Sequence, residues 1–418
     1  MSSFPRLLQL HELAVAEGRR LPKRRELFAR LAAQDGRHFI GIVGPRGAGK
    51  SVLLKQWAAA DEGAIYLSAD TLGPGADLFA LVKGLAEIYR FRIFLVDEVH
   101  FLPDVTAALK QIYDFLEVRV IFTSSVAVAL QSSAHDLARR VRLHTLDYFS
   151  LREYLSFRRG EELPALDFEA LLKLDFSPAH LRAGAHFAAY LAGGLLPFAL
   201  DEPDPLPLLA GTLDKIIERD IPATLRLHLD EIPILRKLLA FIGRSGVDGI
   251  NYSSLAANLG ITKYKAEQYS AAFESAFVLR RIFPAGTNLL REPKVLLVPP
   301  VRLLHRPPDE VVGGLREDFF ALAMRQANLD IHYLKSPRGG KTPDFLVDHH
   351  GQRIVFEIGG RGKGRSQFKN ITADRKIVLA PDIQPAPDRL PLHLIGLLAD
   401  GTDKSRSVGV PPTIHSSV

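Results

Sequence analysis

Apolar positions fall into two rhythms along this chain. Three short runs, "FIGIV" (39–43), the core of "RIFLVDEVH" (92–100) and "VRVIFTSS" (118–125), have the length and β-branched content of buried strands. Between them apolar residues recur at helical spacing, so strand and helix are expected to alternate from about 37 to 150. That alternation predicts an α/β fold built on a doubly wound parallel sheet, with its ligand at the carboxyl ends of the strands. Residues 151–225 are leucine- and alanine-rich at helical spacing, broken at "DEPDPLPLL" (201–209), and read as a small helical lid.

The rhythm then changes. In "VDGINYSSLAANLGITKYKAEQYSAAFESAFVLRRIFP" (247–284) a short helix around Ser254–Asn258 stops at Leu259-Gly260. Thr262 then caps an amphipathic helix running to about Ala276. An apolar strand follows, and "PKVLLVPP" (293–300) supplies the return strand of a wing, which makes a winged helix-turn-helix. From about 310 the order becomes helix, strand, strand, helix, strand. "LREDFFALAMRQANL" (315–329) is the amphipathic helix, and "TPDFLVDHHGQRIVFEIG" (342–359) is a hairpin turning at His350-Gly351. That turn pairs 349 with 352, 346 with 355, and 344 with 357. The expected domains are therefore 1–150, 151–228, 229–305 and 306–400, with a disordered tail over 401–418.

Composition adds limits. With 418 residues, 47% hydrophobic and 24% charged, the chain has ample material for several soluble domains. No apolar run reaches membrane-spanning length without a charge, and the N-terminus lacks the pattern of a signal peptide, so a cytoplasmic protein without a membrane partner is expected. The absence of cysteine excludes disulfides and thiolate zinc sites. A formal charge of +6 permits a polyanionic partner without requiring one.

Chemistry concentrates after the first strand. "GPRGAGKS" places Gly44, Pro45, Arg46, Gly47, Ala48, Gly49, Lys50, Ser51 and Val52 between a strand and a helix, as a phosphate-binding loop requires. Glycines let backbone N–H groups turn around phosphates. Lys50 reaches the β- and γ-oxygens, Ser51 ligates Mg²⁺, and the helix N-terminus adds its dipole. ATP with Mg²⁺ is the expected cofactor. In "LVDEVH", Asp97 ends a strand and would complete the magnesium shell, while Glu98 would polarise the attacking water. The third strand ends in Thr123, Ser124 and Ser125, any of which is placed to sense the γ-phosphate; Ser124 is taken as the catalytic candidate.

These motifs, together with "LARRV…LDYFSLREYL" and "LAGGLLPFAL", resemble the AAA+ ATPases of the archaeal/bacterial type that carry a C-terminal domain of unknown function. The resemblance covers most of 20–225 and continues more faintly to about 370. It implies a homo-oligomer, most often a hexameric ring with sites between subunits. Of Arg139 and Arg140, it matches Arg140 to an arginine finger for a neighbour's γ-phosphate. The family's "GG-P" element falls on Gly193-Gly194-Leu195-Leu196-Pro197, which has an extra residue before the proline.

In the closing domain, the hairpin register sets Asp344 opposite Glu357 on one face, and like charges so placed call for a cation between them. The region resembles the PD-(D/E)xK restriction-endonuclease-like fold, which carries over Glu317, Asp344 and Glu357 as a metal set. Gly359 stands where active members have the lysine that orients water, so cleavage is not expected. Residues 353–376 hold seven basic side chains against two acidic ones. Arg361, Lys363, Arg365 and Lys369 lie on the glycine-rich part, and Lys263, Lys265, Arg280 and Arg281 on the helix-turn-helix. All are candidates for sequence-independent contacts to a DNA backbone. The sum is an ATPase expected to bind duplex or branched DNA and to remodel it, for instance by migrating four-way Holliday junctions. A nucleotide-controlled signalling or defence switch with a protein-binding C-terminal domain and an ATP-dependent endonuclease are the alternatives.

Overall fold

The computed structural model describes residues 4–401 apart from 74, 126–136, 138, 226, 247–249, 287–291, 335–342, 360–367, 369–370 and the side chains of 223 and 224. The described chain divides into two compact units. One lies within Met1–Gly44 and Gly49–Leu146; the other comprises Pro45–Ala48 and Asp147–Gly401.

The first unit is a five-stranded sheet in the order β2-β3-β4-β1-β5, every neighbouring pair parallel. Its strands are β1 (Phe39–Val43), β2 (Ala64–Ser68), β3 (Ile93–Asp97), β4 (Arg119–Ser124) and β5 (Val141–Thr145). All five residues of β1 are buried, as a central parallel strand covered on both faces requires. The helices between strands are α3 (Lys50–Ala60), α4 (Leu78–Tyr89) and α5 (Val105–Phe115). Ahead of the sheet lie α1 (Phe4–Arg20) and α2 (Glu26–Ala32), and α1 packs on α3 so closely that a Cβ at Gly18 would lie 2.2 Å from the Lys55 carbonyl oxygen. Only glycine permits that approach.

Register decides what meets at the carboxyl edge. Val43 lies level with Ser124 on one side and Thr145 on the other, and Asp97 lies level with Ser68. Because β4 stands between β1 and β3, the loop after Val43 and the carboxylates after Val96 are two strand spacings apart, about 10 Å. That gap suits a phosphate chain and a cation.

In the second unit, apolar side chains from Tyr148 through Leu398 enter one hydrophobic core. The helix Tyr252–Leu259 begins earlier than its apolar spacing implies, because the Asn251 side chain accepts from Ser254 N–H at 2.9 Å and caps it. Gly260, at φ 66°, ends it in the left-handed conformation. Thr262 then caps the helix Lys263–Ser275, and an antiparallel ribbon of β6 (Leu279–Ile282) and β7 (Lys294–Leu297) follows.

The closing sheet runs β12-β11-β10-β9-β8. β9 (Phe345–His349) and β10 (Gln352–Ile358) pair antiparallel in the expected register, His349 with Gln352 and Leu346 with Val355. Positive φ at His350 (49°) and Gly351 (80°) gives the turn the twist that a two-residue hairpin needs. β11 (Arg375–Ala380) joins β10 in parallel, and β12 (Arg389–Pro391) extends the sheet. The two-residue β8 (Ile331–His332) and β12 were not among the expected strands, being too short for a periodic signal. Most of the stretch between β10 and β11, where a helix is expected, and the tail from 402 lie outside the described residues.

Candidate functional site

The loop after β1 is shaped by its glycines. A Cβ on Gly44 would sit 2.0 Å from the Leu146 carbonyl oxygen, so no larger residue fits there. Gly47 and Gly49 hold φ of 78° and 92°, the left-handed region, and Gly49 is the N-cap of α3. Lys50, only 4% exposed, donates from Nζ to the Gly44 carbonyl oxygen at 2.9 Å. A buried ammonium at a helix N-terminus is matched to a polyanion. Within the second unit, the Arg46 side chain makes a bidentate pair with Asp220 at 2.7 and 3.0 Å, and the Phe198 ring lies 2.9 Å from where a Gly47 Cβ would stand. The guanidinium of Arg46 is therefore held by a carboxylate.

At the carboxyl edge of β3 the two acidic residues differ. Asp97 is 3% exposed, and both its oxygens are held: Oδ2 accepts from Tyr66 Oη at 2.8 Å and Oδ1 from the Thr123 hydroxyl. Burial and the neighbouring Asp97 charge push the Tyr66 phenol well above its usual range, so it remains a donor. Glu98 adopts φ 53° and ψ 47°, a costly conformation for a residue with a side chain. The Glu98 carboxylate lies beside Ser125 Oγ and His100 Nδ1, each 3.2 Å from Oε2. Lys50, the N-terminus of α3, Ser51 and the fixed Asp97 carboxylate together fit a magnesium-bound nucleoside triphosphate.

Sheet order, glycine-shaped loop and acidic edge define a P-loop nucleotide-hydrolase domain. Residues 36–155 match the family described as AAA domain, which supports an AAA-like P-loop reading of that stretch. Over 391 residues it is 25% identical to an uncharacterized protein of Methanocaldococcus jannaschii (MJ1637), covering 84% of this chain and 82% of that one. It also aligns with the Walker-type ATPase PABY2304 of Pyrococcus abyssi over 68% of this chain and 95% of that one, at 15% identity and a TM-score of 0.40.

Of the three hydroxyl candidates at the end of β4, Thr123 bonds Asp97, Ser125 bonds Glu98, and Ser124 lies 3.5 Å from His100 Nδ1. Arg140 precedes β5 and so lies at the amino edge of the sheet, opposite its own phosphate loop. There it makes a bidentate pair with Asp114 at 2.9 and 3.0 Å, which holds the Asp114 carboxyl below its usual range. A cleft of about 200 Å³ between Gly18–Arg24 and Gln56–Ala59 lies at the far end of α3 from Lys50 and offers no acid–base pair.

The expected nucleic-acid contacts Lys263, Lys265, Arg280 and Arg281 meet internal partners. Lys263 pairs with Glu292 at 2.8 Å, Lys265 with Glu231 at 2.7 Å and Arg281 with Glu274 at 2.6 Å, while Arg280 donates to the Ala321 carbonyl oxygen. The Lys263 side chain remains 65% exposed. Hydrogen bonds from Lys265 and Tyr269 hold the Glu231 carboxyl down at about 2. A depressed carboxyl stabilises the fold above its unfolded value of 4.5 and loses that contribution as pH falls toward 2. Glu231→Gln is thus expected to lower stability at neutral pH by about 1 kcal/mol, given the half-exposed lysine. In thermal melts its difference from wild type should narrow steadily below pH 4.5.

The three carried-over metal residues have different surroundings. Glu317 pairs with Lys294 on β7 at 2.5 Å, and Asp344 Oδ2 accepts from Ile358 N–H at 2.7 Å. Glu357 is fully buried on β10, level with Val378 of β11. Among the described residues no three His, Cys, Asp or Glu side chains group as a metal site. Arg361, Lys363, Arg365 and Lys369 lie outside the described residues. No described helix is long and apolar enough to cross a membrane.

Proposed function

We propose that this chain hydrolyses ATP and couples turnover to work on DNA. The observation that carries the first half is the acidic edge: Asp97 is held by two hydroxyls, while Glu98, next along the chain, engages Ser125 and His100. When bound, Mg²⁺ would neutralise charge on the β- and γ-oxygens. Lys50 neutralises the same oxygens, Ser51 and Asp97 orient the metal shell, and Glu98 accepts a proton from the attacking water. Arg140, at the amino edge, serves a neighbouring copy's γ-phosphate after leaving Asp114, and a ring, hexameric by resemblance, brings the two together.

The DNA half rests on the capped helix Lys263–Ser275 with its following ribbon, exposed Lys263 and Tyr264, and the basic run after β10. These groups suit backbone contact without sequence preference. A nuclease-like closing domain would bind without cutting, since Gly359 takes the lysine's position. The test is ATP turnover with Mg²⁺, with and without single-stranded, duplex and four-way-junction DNA, over a salt series. Junction or duplex DNA is expected to stimulate turnover, and the stimulation should fall steeply with salt. Turnover indifferent to all three DNAs sinks the DNA half. No turnover in wild type sinks the whole reading.

A further inference from the structure

The hydroxyl of Thr123 occupies a position that a γ-phosphate sensor does not need. It is completely buried, donates to Asp97 Oδ1 and accepts the Glu98 backbone N–H at 2.9 Å. One oxygen on β4 therefore fixes both acidic residues of β3. A methyl group could not replace it, because the half-buried Glu98 N–H would lose its acceptor. That N–H belongs to the peptide that enters the left-handed conformation at Glu98, where backbone strain persists only if neighbours enforce it. Of the two acids, Tyr66, from β2, bonds Asp97, and it also meets the Ser68 side chain.

We infer that Thr123 is a positioning residue that sets Asp97 for the metal and Glu98 for the water at once, and that Tyr66 positions Asp97 only. This rests on the ATPase reading above. The division of labour follows from the bonds. Losing the Tyr66 hydroxyl frees one Asp97 oxygen and leaves the Glu98 backbone pinned. Losing the Thr123 hydroxyl frees the other Asp97 oxygen and the strained peptide together.

The experiment compares Thr123→Val, Thr123→Ser and Tyr66→Phe in the full-length chain by two readouts. The first is the gain in affinity for a fluorescent ATP analogue on adding Mg²⁺ over EDTA, which needs no turnover. The second is steady-state kcat and KM. Thr123→Val is expected to lose most of the Mg²⁺-dependent gain, to keep its metal-free affinity within about threefold, and to drop kcat about 10²-fold, with KM for the magnesium complex rising in step with the affinity lost. Tyr66→Phe should lose the Mg²⁺-dependent gain with a smaller fall in kcat, and Thr123→Ser should restore both readouts to within about threefold of wild type. Equal losses in Thr123→Val and Thr123→Ser would mean that packing of the methyl, not the hydroxyl, matters, and would overturn the inference. So would a Thr123→Val protein with wild-type metal dependence, or a wild type with no Mg²⁺-dependent gain. A wild type that shows this gain but no turnover removes the ATPase reading. The binding readout then decides the Thr123–Asp97 bond, and the Glu98 half of the inference falls with the reading.

Discussion

Glu98→Gln should bind ATP with Mg²⁺ about as tightly as wild type and hydrolyse it about 10²–10⁴-fold more slowly, the usual contribution of a positioned general base. The substitution keeps side-chain volume and an acceptor oxygen, so Ser125 retains a partner where it now bonds Oε2. It removes the charge that makes the carboxylate a base. Asp97, buried beside Tyr66 and Thr123, is untouched, so the metal should still bind. The loss corresponds to about 3–5 kcal/mol of transition-state stabilisation. Asp97→Asn should behave differently, weakening the Mg²⁺-dependent part of binding itself. Single-turnover hydrolysis and nucleotide affinity, measured side by side, separate these outcomes. Unchanged turnover in Glu98→Gln would assign the base elsewhere, and a collapse of nucleotide binding would make Glu98 structural.

Local chemistry was legible where the decisive partners are close in sequence. β1 and the loop after it follow from an apolar run ending in glycines, and Thr262 announces its helix by capping it. The hairpin register followed from one His-Gly pair, because two-residue turns leave little freedom. Contacts made by topology were not legible. Tyr66 meets Asp97 only because β2 lies beside β3 in the sheet, and nothing in "AIYLS" announces that. Between Lys263 and Ile282 the sequence itself shows two acids, Glu267 and Glu274. Glu231 and Glu292, which pair with Lys265 and Lys263, come from 34 and 29 residues away. The bond from the Ile358 N–H to Asp344, 14 residues away, was likewise not legible.

The same limit hid Arg302, whose charge in "VPPVRLLHR" reads as surface. It is 1% exposed, forked onto Asp318 at 2.5 and 3.1 Å, and donates to the carbonyl oxygens of Ile242 and Ser245 at 3.3 Å. Asp318 also accepts the Leu297 N–H at 3.0 Å, which ties the helix Pro308–Gln326 to β7. Gly314 makes room: a Cβ there would lie 2.9 Å from the guanidinium. Burial pushes the Asp318 carboxyl up to about 6 against the pull of Arg302, so desolvation outweighs attraction for this ion. Such a pair adds little over an apolar pair, yet breaking it strands a charge. Asp318→Leu should therefore cost about 3–5 kcal/mol, lowering the melting temperature of this unit by about 2–4 °C per kcal/mol. Arg302→Met with Asp318→Leu should cost clearly less than the two single changes summed, by about 2 kcal/mol or more, leaving mainly the backbone groups the pair now satisfies. Denaturant unfolding of the four proteins measures that coupling directly. Strict additivity would show that the two ions are held independently, and that the fork between them contributes nothing to the fold.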